Sequence, residues 1–196
     1  MIDSNFDEGY LRWRRSDSHA ALFGGGMPPE IAPFSFVPLS GMREVGRMLQ
    51  LRPGDTLVDL GCGRGGPGLW LAAQSGARLI GVDSSTVAIA DARSRRTSFA
   101  NVAADFLVCD VAAAGLPSGS ADAVVSIDVL QLVEDPRALV AEAARVLRLG
   151  AASSSPRGRG MTMRRPASRE ACAPCWSPQD CASTSLQDDL PGWSVN

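Results

Sequence analysis

The segment from Thr56 to Gly68, TLVDLGCGRGGPG, constrains this chain more than any other: a short apolar run closes on Asp59 and breaks at once into a glycine-rich turn. Such a run reads as a strand feeding a nucleotide-cofactor loop. Gly61 and Gly63 can take backbone angles closed to other residues and leave room for a ligand against the main chain, while Gly66-Pro67 can open a helix. The glycines also satisfy G-x-G-x-x-G, which taken alone is a weak dinucleotide fingerprint. Asp59, two residues before the first glycine, separates the readings. A pyrophosphate would meet its carboxylate unfavourably, whereas a ligand carrying an ammonium would be held by it. The acid therefore points to a cofactor with an amino-acid portion.

The same grammar repeats along the chain. In RLIGVDSS an apolar strand from Leu79 to Val82 ends in Asp83, 22 residues after Gly61, with Ser84 and Ser85 placed to cap a helix. A carboxylate at that distance commonly binds ribose hydroxyls. A third strand, Phe106 to Cys109, ends in Asp110, and a fourth, Ala123 to Ile127, ends in Asp128. Four successive strands thus deliver acids to one sheet edge. Each acid also has a purely structural reading as the cap of the following helix or turn. For Asp128 that reading is a helix through Val129 to Val133.

The order VDLGCGRGGPG, GVDSS, FLVCD and ADAVVSIDVLQLVEDP resembles the class I S-adenosylmethionine-dependent methyltransferases, in particular their small-molecule (type 11-like) branch, over roughly Leu49 to Gly150. The resemblance implies an α/β, Rossmann-like doubly wound sheet with parallel strands in the order 3-2-1-4, and S-adenosyl-L-methionine as cofactor. It places Asp59, Gly61, Cys62 and Gly63 around the methionine part, and Asp83 with Ser84 at the ribose. Asp110 and Val111 fall at the adenine, and Ser126 and Asp128 at the sulfonium and the substrate. The implied reaction is in-line methyl transfer to a small-molecule acceptor, where holding donor and acceptor in line supplies much of the acceleration. His19, the only histidine, and Asp128 are the candidate catalytic groups. Gln131 stands in a stretch where many relatives carry His.

Composition fits a cytoplasmic enzyme that is neither membrane-inserted nor bound to nucleic acid. Net charge is -2 and all 19 basic residues are Arg, so the basic footprint that polynucleotides favour is missing. No apolar run approaches the roughly 20 residues of a membrane helix. Cys62 and Cys109 read as small buried residues. Cys172, Cys175 and Cys181 have metal-like spacing but no fourth ligand nearby, so no metal site is expected. A nicotinamide-dependent oxidoreductase is the other enzymatic reading. Asp59 and the lack of any Lys for a Tyr-x-x-x-Lys pair count against it.

Residues 1–50 read as a helical cap or lid, broken by GGGMPPE and APFSFVP, with Tyr10, Trp13, Phe34 and Phe36 as pocket-lining candidates. Ser40 is placed to cap a helix bearing Met42, Val45, Met48 and Leu49. Residues 51–150 form the cofactor-binding core and end in a helix with Asp135 as cap, Pro136 in its first turn, and Leu139, Val140, Ala143, Ala144, Val146 and Leu147 on one face. Residues 151–196 change character: Val, Ile and Phe together occur once, at Val195, against eight Ser and five Arg, too little apolar surface for three further strands. The later strands of the family are therefore expected to be missing or disordered, leaving the edge of strand four exposed. Back-translated with permitted GC-rich codons and read two nucleotides later, Ala151 to Gly158 can encode Gly-Leu-Val-Phe-Thr-Thr-Trp, an apolar strand suited to this point. A frameshift after Leu149 or Gly150 is the preferred account of the tail, and a non-catalytic cofactor-binding fragment is the reading that follows if activity is lost.

Overall fold

Val58, Leu60 and Leu57 are fully buried, so β1 (Thr56–Leu60) is apolar on both faces, as a central parallel strand must be. In this computed structural model, which describes residues 4–13, 31, 37–148, 152–154 and 160–164, β1 is flanked by β2 (Arg78–Asp83) and β4 (Ala123–Ile127). Both run parallel to it, and β3 (Ala104–Val108) pairs parallel with β2. The order β3-β2-β1-β4 is the one the resemblance implies.

Helices α1 (Ser4–Trp13), α2 (Leu39–Leu49), α3 (Gly66–Ser75), α4 (Thr86–Arg95) and α5 (Pro136–Val146) complete the described architecture. Strand alternation sorts the core into two layers. Leu57, Leu79, Phe106, Ala123 and Val125 pack with Met42, Val45, Leu49, Leu69, Ile89 and Ala92 of α2, α3 and α4. Val58, Leu60, Ile80, Val82 and Val124 pack with Val111, Leu116 and α5 on the opposite face.

Capping follows the local chemistry with one exception. Ser85 caps α4 by accepting from the backbone N–H of Ala88 at 3.0 Å, and Asp135 caps α5 through the N–H groups of Arg137 and Ala138. Ser40 is not a cap, because α2 begins one residue before it, with Pro38 at the cap position. The buried face of α5 also differs from expectation: Val140 and Ala144 are exposed and Glu142 is buried. Its carboxylate accepts from the N–H of Ala114 at 2.8 Å and pairs with Arg145 at 2.7 Å, so α5 secures the loop after β3 with a polar group.

The edge of β4 is not open. A strand β6 (Gly160–Arg164) pairs antiparallel along all of β4, from Ala123↔Arg164 to Ile127↔Gly160, and a short β5 (Ala152–Ser154) pairs antiparallel with β6. The expectation of an uncovered edge is thereby corrected: unpaired backbone groups on a long edge require partners, and β6 supplies them by antiparallel main-chain pairing. Among the described residues there is no parallel fifth strand. The cysteine cluster, and the tail from residue 165 onward, lie outside the described residues.

Glu142→Ala should lower unfolding free energy by about 1–3 kcal/mol, the range for stranding a buried donor, with Glu142→Gln losing less. Urea denaturation followed by circular dichroism measures both.

Candidate functional site

The candidate site lies at the C-terminal ends of β1, β2 and β4, where the strands hand over to loops. Asp59 pairs in register with Gly81, so Asp59 and Asp83 face the same side of the sheet. Both are buried, at 2% and 8% exposure. Asp83 is tied down from two directions: one oxygen accepts from the N–H of Gly63 at 2.8 Å and the other from the N–H of Ser85 at 2.9 Å. One carboxylate therefore joins the glycine turn to the start of α4. Two accepted bonds leave part of its capacity, since an ionised carboxylate offers about four acceptor positions.

Asp59 is held differently. No donor among the described residues pairs with it, and a methyl group on Gly68 would lie 2.6 Å from its Oδ2, so the carboxyl rests against the first turn of α3. Burial first, and the charge of Asp83 second, push it up to about 7. Burial also raises Asp83, against the pull of its two backbone bonds. A desolvated acid beside a second acid is an arrangement that a cation relieves.

The glycines do what the turn demands. Gly61 sits at φ +77, and a Cβ there would lie 2.3 Å from Cγ2 of Val129. Gly63 sits at φ +51, and a Cβ there would lie 2.7 Å from the hydroxyl oxygen of Tyr10. Either substitution would combine left-handed strain with a clash. Cys62 turns its side chain inward, toward Gly81, and burial pushes its thiol upward, which makes it packing rather than a reactive group. Arg64 in the same turn reaches across to Asp91 of α4 at 2.9 Å.

The other sequence candidates divide. Ser126 is fully buried and its hydroxyl donates to the carbonyl of Leu60 at 2.8 Å, bracing β4 against β1. Asp128 is buried and left-handed at φ 56, a conformation Asp tolerates better than most residues and one that recurs at functional turns. The helix that Asp128 would cap on its structural reading is absent: Val129 to Val133 form a turn closed by Leu132 N–H to Val129 O at 2.7 Å, because Val129 is used against Gly61 and β-branched residues favour helix weakly. Asp110 is exposed, with one oxygen accepting from the N–H of Ala112 at 2.8 Å, while Val111 is buried and Ser84 is half-buried. His19, Phe34 and Phe36 lie outside the described residues. Asp7, which sequence reasoning did not single out, touches the site through Ser85. Its signal was the three-residue spacing from Tyr10, which puts both on one helix face.

The strand order, the glycine turn and the acid-ended strands define a Rossmann-like fold of the methyltransferase type. Residues 58–153 match the family described as a methyltransferase domain. The chain is 30% identical over 147 residues to 2-methyl-6-phytyl-1,4-hydroquinone methyltransferase of Synechocystis sp., covering 74% of this chain and 45% of that protein. It is 32% identical over 104 residues to 27-O-demethylrifamycin SV methyltransferase of Amycolatopsis mediterranei, covering 53% and 38%. Among solved structures, geranyl diphosphate methyltransferase in complex with GPP and sinefungin aligns with a TM-score of 0.50 and 26% identity, over 57% of this chain and 41% of that one. Over residues 58–153 the α/β core is similar to the class I S-adenosylmethionine-dependent methyltransferases. The chain spans less than half the length of the curated relatives it matches. No helix among the described residues is long and apolar enough to cross a membrane, and no metal-ligating cluster occurs among them.

Because the folded-state value of Asp59 lies near 7 and its unfolded value near 4, the folded chain holds the extra proton between them. Stability of the ligand-free protein should be full below about pH 4 as far as this group is concerned, and should fall as pH rises toward about 7. Asp59→Asn should flatten that fall. Thermal melts of both proteins between about pH 5 and about pH 8 measure it.

Proposed function

We propose that this chain binds S-adenosylmethionine over the glycine turn and transfers its methyl group to a small-molecule acceptor. The observation that carries the reading is Asp59: a carboxyl that is 2% exposed, without a donor among the described residues, beside the turn where a cofactor would lie. An ammonium fits that position, and a pyrophosphate does not. The donor set suits the rest of the molecule as well. Asp83 retains acceptor capacity for ribose hydroxyls, with Ser84 beside it. The backbone of Gly61, Cys62 and Gly63 borders the methionine part. Asp110 accepts from the adenine amine and Val111 packs against the ring. Ser126, through β4, and Asp128 border the sulfonium and the acceptor.

When bound, the cofactor supplies an electrophilic methyl group. The chain's own residues orient the acceptor in line with it and take the acceptor's proton, for which Asp128 and His19 are the candidates. Relatives named for a hydroquinone and a rifamycin support an acceptor that is a small organic molecule, a natural-product hydroxyl or amine. The absence of a basic surface in the composition supports a cytoplasmic enzyme that does not act on nucleic acid.

The domain division follows: residues 1–50 as the lid, 51–150 as the cofactor-binding core, and 151–196 as a tail read out of frame. The family match ends at residue 153, where the composition changes, which supports the frame reading. Sequencing the gene across the codons for Leu147 to Arg159 tests it. An encoded tail shared by intact relatives overturns it.

Calorimetric titration should show binding of S-adenosylhomocysteine, the demethylated product, in preference to NAD; tighter binding of NAD, or indifference to both, overturns the proposal. Asp83→Ala should weaken that binding by about 1.5–3 kcal/mol, the range for hydrogen bonds to a charged group. The same change should also lower the melting temperature, because Asp83 holds two backbone N–H groups.

A further inference from the structure

The N-terminal helix α1 touches the core at a point the cofactor reading does not use. Asp7 lies over the start of α4, where its carboxylate accepts from the hydroxyls of Ser85 and Thr86, the latter at 2.9 Å, and from the N–H of Val87 at 3.3 Å. Those N-terminal groups attract an anion, and the Ser85 hydroxyl above all holds the Asp7 carboxyl below its ordinary value. The contact is therefore charge-assisted and persists at neutral pH. Ser85 is also the residue whose N–H is held by Asp83, so the anchor of α1 and the expected ribose site share one turn of backbone.

Tyr10 lies three residues on, on the same face of α1. Its hydroxyl is the atom that a Cβ on Gly63 would strike. Asp7 and Tyr10 thus bear on the start of α4 and on the glycine turn from one face of the same helix. Phe6 and Leu11 on α1 are exposed at 36% and 37%, so apolar burial of those two side chains does not hold the helix. Burial and the charge of Asp83 push the phenol upward, which keeps it a donor.

We propose that Asp7 is a positioning residue for the cofactor: by locking α1 onto the start of α4 it sets the Tyr10 hydroxyl over Gly63, where it donates to the amino-acid end of the bound ligand. The proposal rests on the cofactor reading above. Asp7 touches no ligand and acts through Tyr10, so the two residues form one unit, and their removal must be non-additive. A merely structural Asp7 would add its effect to that of Tyr10.

The test is a double-mutant cycle read by calorimetric titration with S-adenosylhomocysteine, with circular dichroism confirming that each variant keeps its fold. Tyr10→Phe and Asp7→Ala should each weaken binding about 10-fold, the order expected for losing one hydrogen bond to a charged group. In the Tyr10→Phe background Asp7→Ala should cost no more than about 2-fold further, where additivity would give a total near 100-fold. Asp7→Asn, which keeps an acceptor for Val87 and Ser85, should recover most of the affinity, and it serves as the readout if Asp7→Ala misfolds. Additive losses, an unchanged affinity in Asp7→Ala, or an Asn variant as weak as the Ala variant would overturn the proposal while leaving the cofactor reading standing. Failure of the native chain to bind S-adenosylhomocysteine would overturn the cofactor reading, and this assignment with it.

Discussion

Two carboxylates taken out of water at one sheet edge govern the rest of this structure. Removing an ionised acid from solvent is unfavourable unless donors or cations replace the lost hydration. Asp83 is given donors, the N–H groups of Gly63 and Ser85, and in accepting both it locks the glycine turn to the first turn of α4. Asp59 is given none among the described residues and leans on the start of α3 instead. The first acid organises backbone, and the second keeps an electrostatic demand that a cationic ligand group meets. Closely spaced groups of the same chemical type acquire different roles because their hydrogen-bond surroundings differ.

Small side chains let these acids sit where they do. Gly68 admits the carboxyl of Asp59 against α3, and Gly81 leaves room for Phe106 and Cys62 beneath the turn. Val129 and Tyr10 then close on Gly61 and Gly63 from β4's exit loop and from α1. The glycine turn is thus squeezed between the end of β4 and the N-terminal helix, so elements far apart in sequence meet at the place where the chemistry is expected. The sheet's far side solves a different problem: β6 pairs along β4 and α2 lies against it, so the edge is covered by backbone bonds rather than by a further parallel strand.

Much of this was legible in the chain itself because local rules act over short windows. Apolar runs ending in acids located β1 to β4, although β2 and β3 begin earlier than expected, at Arg78 and Ala104. Ser85, Asp135 and Pro136 announced their helices through capping chemistry that needs only neighbouring N–H groups. Reading failed where a distant partner decides the outcome. Glu142 looks like a solvent-facing residue until Ala114 and Arg145 are placed around it. Val129 to Val133 look helical until Val129 is drawn onto Gly61.

By itself the sequence determined the class of fold, the glycine turn and the acids that surround it, since strand periodicity, positive-φ glycines and strand-end spacing are all encoded within a few residues of one another. Only the tertiary structure decided that Asp83 is shared between two backbone segments, that Ser126 braces β1 instead of facing open space, that an antiparallel strand occupies the edge of β4, and that Asp7 of α1 reaches the start of α4. Each of those outcomes depends on contacts between residues 20 or more positions apart, as in the Ser85–Asp7 separation of 78, and no local pattern records which distant donor a buried acceptor will find.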